Sequence, residues 1–316
     1  MKKIIALDIG GTNTRVALIN EDYKIESILI NPTVVGNLDL FLESVKKTIL
    51  EGVKDFTDVI AIAAGVPGRV RHDGFIYALP NIHITSIPLS DYLQKEFNLP
   101  VFVRNDAEIA ALAEANVGPY KDYHSLYFVT ISTGVGGALC IDGRLFNSSY
   151  EIGHTMTAYH NEIHEFEHMA SGTGIRRLCD MNGLNIANAR EFFELVKNDH
   201  PLAKRVYKDW TKMLSEWIEM VQDNFSPEVF TLTGGVMKSK DLFFEDLRRA
   251  CPNSNIQECA CGQEAGLVGA AVFGFQIAQF FPRGRLFGNA RGQGVLAGAE
   301  RDRAFFRAEP EPCRKR

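Results

Sequence analysis

The chain has 316 residues, 46% hydrophobic and 23% charged, with a formal net charge of −5. That is the balance of a globular protein long enough for two domains, and it gives no broad electrostatic attraction for nucleic acid. No apolar run approaches the roughly 18–20 residues of a membrane span.

The opening MKKIIALDIGG has the lysines of a secretory signal, but its apolar stretch breaks at Asp8 with no small-residue cleavage site after it. It is expected to be the first strand of a cytoplasmic protein. Alternating apolar residues predict strands over 3–8, 15–19 and 23–30, the first two joined by the turn GGTNT. Leu38, Leu40, Phe41, Val45 and Ile49 have helical spacing over 38–50. A buried strand over 59–64 leads to the turn Gly65-Val66-Pro67-Gly68. A helix over 89–97, a strand over 101–103 and a helix over 106–117 follow, the last with Ile109, Ala110, Leu112 and Ala113 on one side. The opening pattern then recurs: a strand over 125–131, a glycine turn over 132–137 and a returning strand over 138–141. Two such units about 120 residues apart suggest an internal duplication. Helices over 187–197, 202–224, 242–250 and 263–278, with a strand over 229–233, complete the body.

The six cysteines (Cys140, Cys179, Cys251, Cys259, Cys261 and Cys313) are scattered, which argues for buried thiols and against a disulfide scaffold. Residues 281–316 hold eight arginines and one lysine against four acids, a balance of +5, and no isoleucine. This basic tail reads as a segment of different history or as disorder, with an interaction arm as the alternative.

Three glycine turns each follow a strand. In Asp8-Ile9-Gly10-Gly11-Thr12-Asn13-Thr14, glycines bring bare N–H groups close to an anion, Thr12 and Asn13 add donors, and Asp8 could hold a hydrated Mg²⁺. No G-K-[ST] follows, so this is not a Walker A loop. Ser132-Thr133-Gly134-Val135-Gly136-Gly137 is the second turn. Thr233-Gly234-Gly235-Val236 is the third and offers a nucleoside a place to pack. Each alone is equally a tight hairpin turn. Asn105-Asp106 at the head of a helix is by spacing a capping pair.

DIGGTNTR, GVPGRV, NDAEIAALAE, TISTGVGGAL, EIGH, ASGTGI, TLTGGV and AGLVGAA occur in the order and spacing of the ROK family, which the chain resembles over residues 3–278. The resemblance implies an α/β, two-lobed actin-like ATPase (ribonuclease H-like) fold with a cleft between lobes. Residues 1–117 would form an N-terminal lobe with the first phosphate loop and the catalytic Asp. Residues 118–280 would form a C-terminal lobe with the second loop and the sugar and adenosine contacts, its last helix packing back on the first lobe. Residues 281–316 lie outside the resemblance.

The activity implied is ATP- and Mg²⁺-dependent phosphorylation of a hexose or N-acetylhexosamine at its 6-hydroxyl, with Asp106 as the base. The sugar shell would be Gly65, Asn81, Asn105, Asp106, Glu151, His154 and Glu167. The nucleotide would lie against Asp8, Gly10, Gly11, Thr12, Asn13, Thr133, Gly134, Gly136, Gly137, Gly234 and Gly235. The family's second asparagine, two positions after the base, is Glu108 here. The family's repressors carry an N-terminal helix-turn-helix; the first loop starts at residue 8, which favours a kinase. A non-catalytic sugar-sensing or regulatory member is the alternative. A homodimer is expected from the resemblance, and no nucleic-acid or membrane partner.

Most members bind structural zinc through the His of EIGH and a C-x-C-G-x-x-G-C run. The corresponding HTMTAYHNEIHEFEHMASG has no cysteine, so a zinc site with sulfur ligands is excluded there and structural zinc is not expected. His154, His160, His164 and His168 remain, the last three spaced by four; on a helix, that spacing could share one face and hold a metal, or they are surface residues. The loop is left to be fixed by packing alone.

Overall fold

A computed structural model describes residues 1–71, 73–146 and 151–280. The basic segment 281–316, with Cys313, lies outside the described residues. In chain order the first part runs β1 (Lys3–Ile9), β2 (Asn13–Asn20), β3 (Ile25–Pro32), α1 (Leu38–Gly52), β4 (Val59–Val66), β5 (Arg69–Val70), β6 (Ile76–Leu79), β7 (Ile84–Ile87), α2 (Leu89–Phe97), β8 (Val101–Asn105) and α3 (Asp106–Asn116). The second runs β9 (Ser125–Ile131), β10 (Val135–Ile141), β11 (Arg144–Leu145), β12 (Met156–Tyr159), β13 (Glu162–Glu165), α4 (Glu167–Ala170), α5 (Gly172–Met181), α6 (Ala189–Lys197), α7 (Pro201–Phe225), β14 (Val229–Thr233), α8 (Phe244–Ala250), β15 (Ile256–Glu258) and α9 (Ala265–Ala278).

Two five-stranded sheets share one plan. The orders are β3-β2-β1-β4-β8 and β11-β10-β9-β14-β15. In each, the first three strands pair antiparallel and the last two add in parallel. The recurrence read from the two glycine turns is therefore a repeat of a whole sheet.

Side-chain alternation decides how the layers meet. On β1, Ile5, Leu7 and Ile9 join a cluster with α1 and α2, whereas Ile4 and Ala6 face the other way. That second face, with Ala17, Ile19, Ala61 and Ala63, packs on α9, while Leu126, Phe128, Ala138 and Cys140 of the second sheet pack with α3 in the same cluster. The helices are exchanged: α3 follows the first sheet in sequence and packs on the second, and α9 follows the second and packs on the first. Between sheets, α3 is buried on more than one side. Ala107, Ile109, Ala111, Leu112, Ala113, Glu114 and Ala115 are all covered, where the spacing alone predicts a one-sided stripe.

The two small sheets were not read from the sequence. β5-β6-β7 fills residues 69–87, and β12-β13 is a hairpin within the histidine-rich segment. The hairpin leaves the histidine spacing without the helix on which it could have presented one face. His160 lies in its turn, His164 on β13 and His168 on α4, so the spacing of four creates no shared helical face. Strand pairing won because the turn at His160 and Asn161 adopts left-handed backbone at both residues. The segment is anchored on α7. Phe166 is buried and stacks on Trp217 at 4.8 Å between ring centroids, Trp217 Nε1 donates to Thr155 Oγ1 at 3.0 Å, and Tyr159 Oη donates to Asp209 at 3.0 Å.

At the crossing of α3 and α9, a Cβ on Gly269 would collide with the backbone carbonyl of Ile109, and backbone cannot step aside. Gly269→Ala is expected to lower stability by about 1–3 kcal/mol, as overpacking does. A lowered urea midpoint with an unchanged slope is the expected readout; an unchanged midpoint contradicts it.

Candidate active site

The first glycine turn is short and tied at both ends. Gly10 N–H donates to Asn13 O at 2.8 Å, and Thr33, just past β3, donates its hydroxyl to Gly10 O at 2.7 Å and its N–H to Thr12 O at 2.9 Å. The side chains of Thr12 and Asn13 stay exposed. Gly11 lies against Asn81, which a one-turn helix at Pro80–Ile82 carries in from the small sheet. Asp8 faces Arg15 across the β1–β2 register, and Arg15 Nη1 donates to Asp8 Oδ2 at 3.3 Å and to Gln263 O at 2.5 Å. The first turn of α9 completes the surround: Gly266 abuts the Asp8 carboxylate. Burial raises the Asp8 pKa, and Arg15 opposes that.

The second turn is shorter than its composition suggests. It covers residues 132–134, since β10 already begins at Val135 and takes Gly136 and Gly137 into the strand. Alternating small residues there pair readily with β9, and the glycines serve packing: Gly136 lies on Ala107 in the first turn of α3, Gly137 against Ile152 and Tyr127. Gly134 has no room for a Cβ because the Glu167 carboxylate occupies that space, accepting Val135 N–H at 2.8 Å. Ser132 is a hub that sequence reading missed. Its hydroxyl accepts Gly235 N–H at 3.1 Å and its carbonyl accepts Gly172 N–H at 2.7 Å. Thr173 Oγ1 donates to Thr133 O at 2.5 Å. The second turn, the third and the N-terminus of α5 are thus joined. Gly234 has φ +106° and sits on the backbone of Ile131, a position open to glycine. Gly235 has nothing within 4 Å of where a Cβ would be.

Asn105 caps α3, its Oδ1 accepting Ala107 N–H at 2.9 Å, while its amide donates to Gly68 O at 3.1 Å. The capping role read from spacing is present, and it fixes the helix start against the turn after β4. Asp106 is the first helical residue. Its Oδ1 also accepts Ala107 N–H at 2.9 Å. The carboxylate is open to solvent yet crowded by protein on most sides, which pushes its pKa up to about 6; Asp8 and Glu151 add like-charge repulsion and Ala107 N–H opposes the rise. Asp8, Asp106 and Glu151, from three distant segments, therefore share one electrostatic neighbourhood.

The remaining residues of the sugar shell are placed as follows. Gly65 is buried at the end of β4 and packs on Ile109. Glu151 precedes the one-turn helix Ile152–His154 and is exposed. His154 is half exposed, with Nδ1 2.8 Å from Glu165 Oε2. Glu167 starts α4 beside the second turn. His160 stacks on Tyr159 at 4.0 Å between ring centroids.

The donor set suits a nucleotide phosphate with Mg²⁺. The first turn offers the Gly11 N–H and the exposed Thr12 and Asn13, the Gly10 N–H being used within the turn, and Asp8 supplies one carboxylate beside them. Mg²⁺ takes one or two protein carboxylates together with phosphate oxygens and water. Among the described residues, no cluster of three or more His, Cys, Asp or Glu side chains could cage a metal ion. None of the helices described is long and apolar enough to cross a membrane. Cys140, Cys179 and Cys251 are buried and free, and Cys259 and Cys261 partly buried and free.

Arg15 could have been found from the sequence, because a tight hairpin places it opposite Asp8. Gln263 and Gly266 could not, since they arrive from the far end of the chain.

The family model described as "ROK family" matches residues 4–276. A glucokinase of Halalkalibacterium halodurans is 26% identical over 308 residues, covering 84% of this chain and 92% of its own length. A bifunctional enzyme NanE/NanK of Brucella melitensis is 30% identical over 284 residues, covering 85% of this chain and 53% of the enzyme. The crystal structure of a ROK hexokinase from Thermus thermophilus superposes with a TM-score of 0.78 at 25% identity, covering 88% of this chain and 99% of that one. The doubled sheet and this likeness give the two-lobed actin-like ATPase fold. The glycine turns, the Asn-Asp helix start and the EIGH segment thus stand in a chain that belongs to the ROK family.

Proposed function

We propose that the protein is an ATP-dependent sugar kinase that phosphorylates a hexose or N-acetylhexosamine at the 6-hydroxyl, with Asp106 as the general base. The observation that carries this reading is the place of Asp106: at the N-terminus of α3, where its neighbour Ala107 lies against Gly136 of β10 just past the second glycine turn, and within electrostatic reach of Asp8, at the end of β1 ahead of the first. The named activities of the glucokinase and NanE/NanK relatives support it.

The chemistry follows from the residues. Phosphoryl transfer asks mainly for positioning and for neutralising charge on the transferred group. Asp8 and the first turn would hold MgATP by its phosphates, and Mg²⁺, when bound, neutralises charge on the phosphoryl oxygens. Ala107 N–H holds Asp106 Oδ1, which leaves Oδ2 for the sugar. There it would orient the hydroxyl and take its proton as the oxygen–phosphorus bond forms and the bond to ADP breaks. A base of pKa about 6 is ionised at neutral pH and accepts a proton more readily than an ordinary carboxylate. Glu151, His154, Glu167 and Asn81 supply the directional donors and acceptors that sugar hydroxyls need.

An ADP-release assay with MgATP against glucose, N-acetylmannosamine, N-acetylglucosamine, mannose, fructose and allose tests this. One sugar is expected to turn over, and Asp106→Ala to lower kcat by about 10²–10⁴-fold with ATP affinity retained. No turnover by folded, ATP-binding protein would move the reading to a regulatory member of the family. Because Asp106 must be ionised to act and its pKa is raised, kcat/KM for the sugar is expected to bend at about pH 6 and fall tenfold per unit below. A profile flat down to pH 4.5 speaks against this base. Burial disfavours the Asp106 charge, so Asp106→Asn is expected to melt no lower than the wild type at pH 8; a clear drop would mean that the carboxylate holds the fold.

A further inference from the structure

We propose that Glu165 is a positioning residue for the sugar site, holding His154 as the Nδ1–H tautomer so that Nε2 is the ring nitrogen offered to the substrate. This deepens the kinase reading and rests on it for the identity of the ligand.

The argument starts from geometry. His154 Nδ1 and Glu165 Oε2 are 2.8 Å apart, joining the one-turn helix after Glu151 to the last residue of β13. A carboxylate only accepts, and its bond to His154 holds Glu165 below the usual range, so Nδ1 must carry the proton. The same Oε2 is 3.6 Å from His168 Nε2 on α4. Glu165 thus sits between two imidazoles, one on each side of the strand end. Glu151 and Glu167 are the other charges that act on His154. Protonating His154 adds a proton at Nε2 and leaves the Nδ1 bond in place, so the ring stays oriented through its titration. What changes is whether Nε2 accepts from a hydroxyl or donates to one.

The pair is about half open to water, His154 at 54% and Glu165 at 31% side-chain exposure. An exposed ion pair of this kind adds little to stability. The segment has separate anchors in the stack of Phe166 on Trp217 and the bond from Trp217 to Thr155. The dyad's contribution is therefore to orientation, and removing it leaves the hairpin seated.

The test compares full-length wild type, Glu165→Ala and Glu165→Gln. Long-range ¹H–¹⁵N spectra of ¹⁵N-histidine protein read the tautomer, with His154→Ala assigning the signal, and thermal melts check the fold. The expected result is an Nδ1–H His154 in the wild type, lost in Glu165→Ala and kept in Glu165→Gln, whose amide oxygen still accepts. With whichever sugar of the six-sugar panel is phosphorylated, Glu165→Ala should raise sugar KM about tenfold, leave ATP KM unchanged and change kcat far less. Glu165→Gln should restore most of that KM. A wild-type Nε2–H tautomer, or an unchanged sugar KM in Glu165→Ala, overturns the proposal. The spectra need no turnover. An Nδ1–H signal in a protein that phosphorylates none of the six sugars would uphold the dyad and sink the kinase reading instead.

Discussion

The close crossing of α3 and α9 is the constraint on which the rest of the molecule depends. Gly269 lets the two helices approach until one meets the backbone of the other, and alanines on both helices and on both sheets keep the layer thin. Each helix begins at the site. Asp106 opens α3, and Gly266, in the first turn of α9, abuts Asp8. Fixing the crossing therefore fixes the distance between the two carboxylates proposed to lie nearest the chemistry. A bulkier residue at the crossing would strain the layer and move these two ends apart.

Charge is the second organising theme. Three acids from three segments act on one another, and Arg15 stands against Asp8 as its counter-ion. At Asp106, burial and the like charges of Asp8 and Glu151 disfavour ionisation, and at Asp8 burial does. The same arrangement suits a cation and a proton in transit, so the electrostatic penalty sits where the proposed reaction would relieve it.

The EIGH segment shows a different way of ordering a loop. With no cysteine there, aromatic packing on α7 seats the hairpin, and Glu165 and Glu167, accepting hydrogen bonds from His154 and from the Val135 N–H, tie it to its neighbours. Packing sets position to within a side chain's width, and directional bonds set the angle. The proposed sugar site would need both, because a sugar hydroxyl is recognised by direction as much as by distance.

The sequence determined the family, the strands that carry the glycine turns, and the capping of α3 by Asn105, because these depend on neighbours within a few residues. It also placed Asp8, Asp106 and the EIGH residues as candidates. The tertiary structure decided what no local pattern contains. The exchange of α3 and α9 between sheets makes a one-sided apolar stripe into a helix covered nearly all round. Gln263 reaches Arg15 across 248 positions, and Gly235 reaches Ser132 across 103. The four-residue spacing of His160, His164 and His168 makes no shared helical face, because a turn at His160 and Asn161 folds the segment into a hairpin. Periodicity reports which faces of an element are apolar. Which partner covers each face, and how a buried charge is answered, is settled only when distant segments meet.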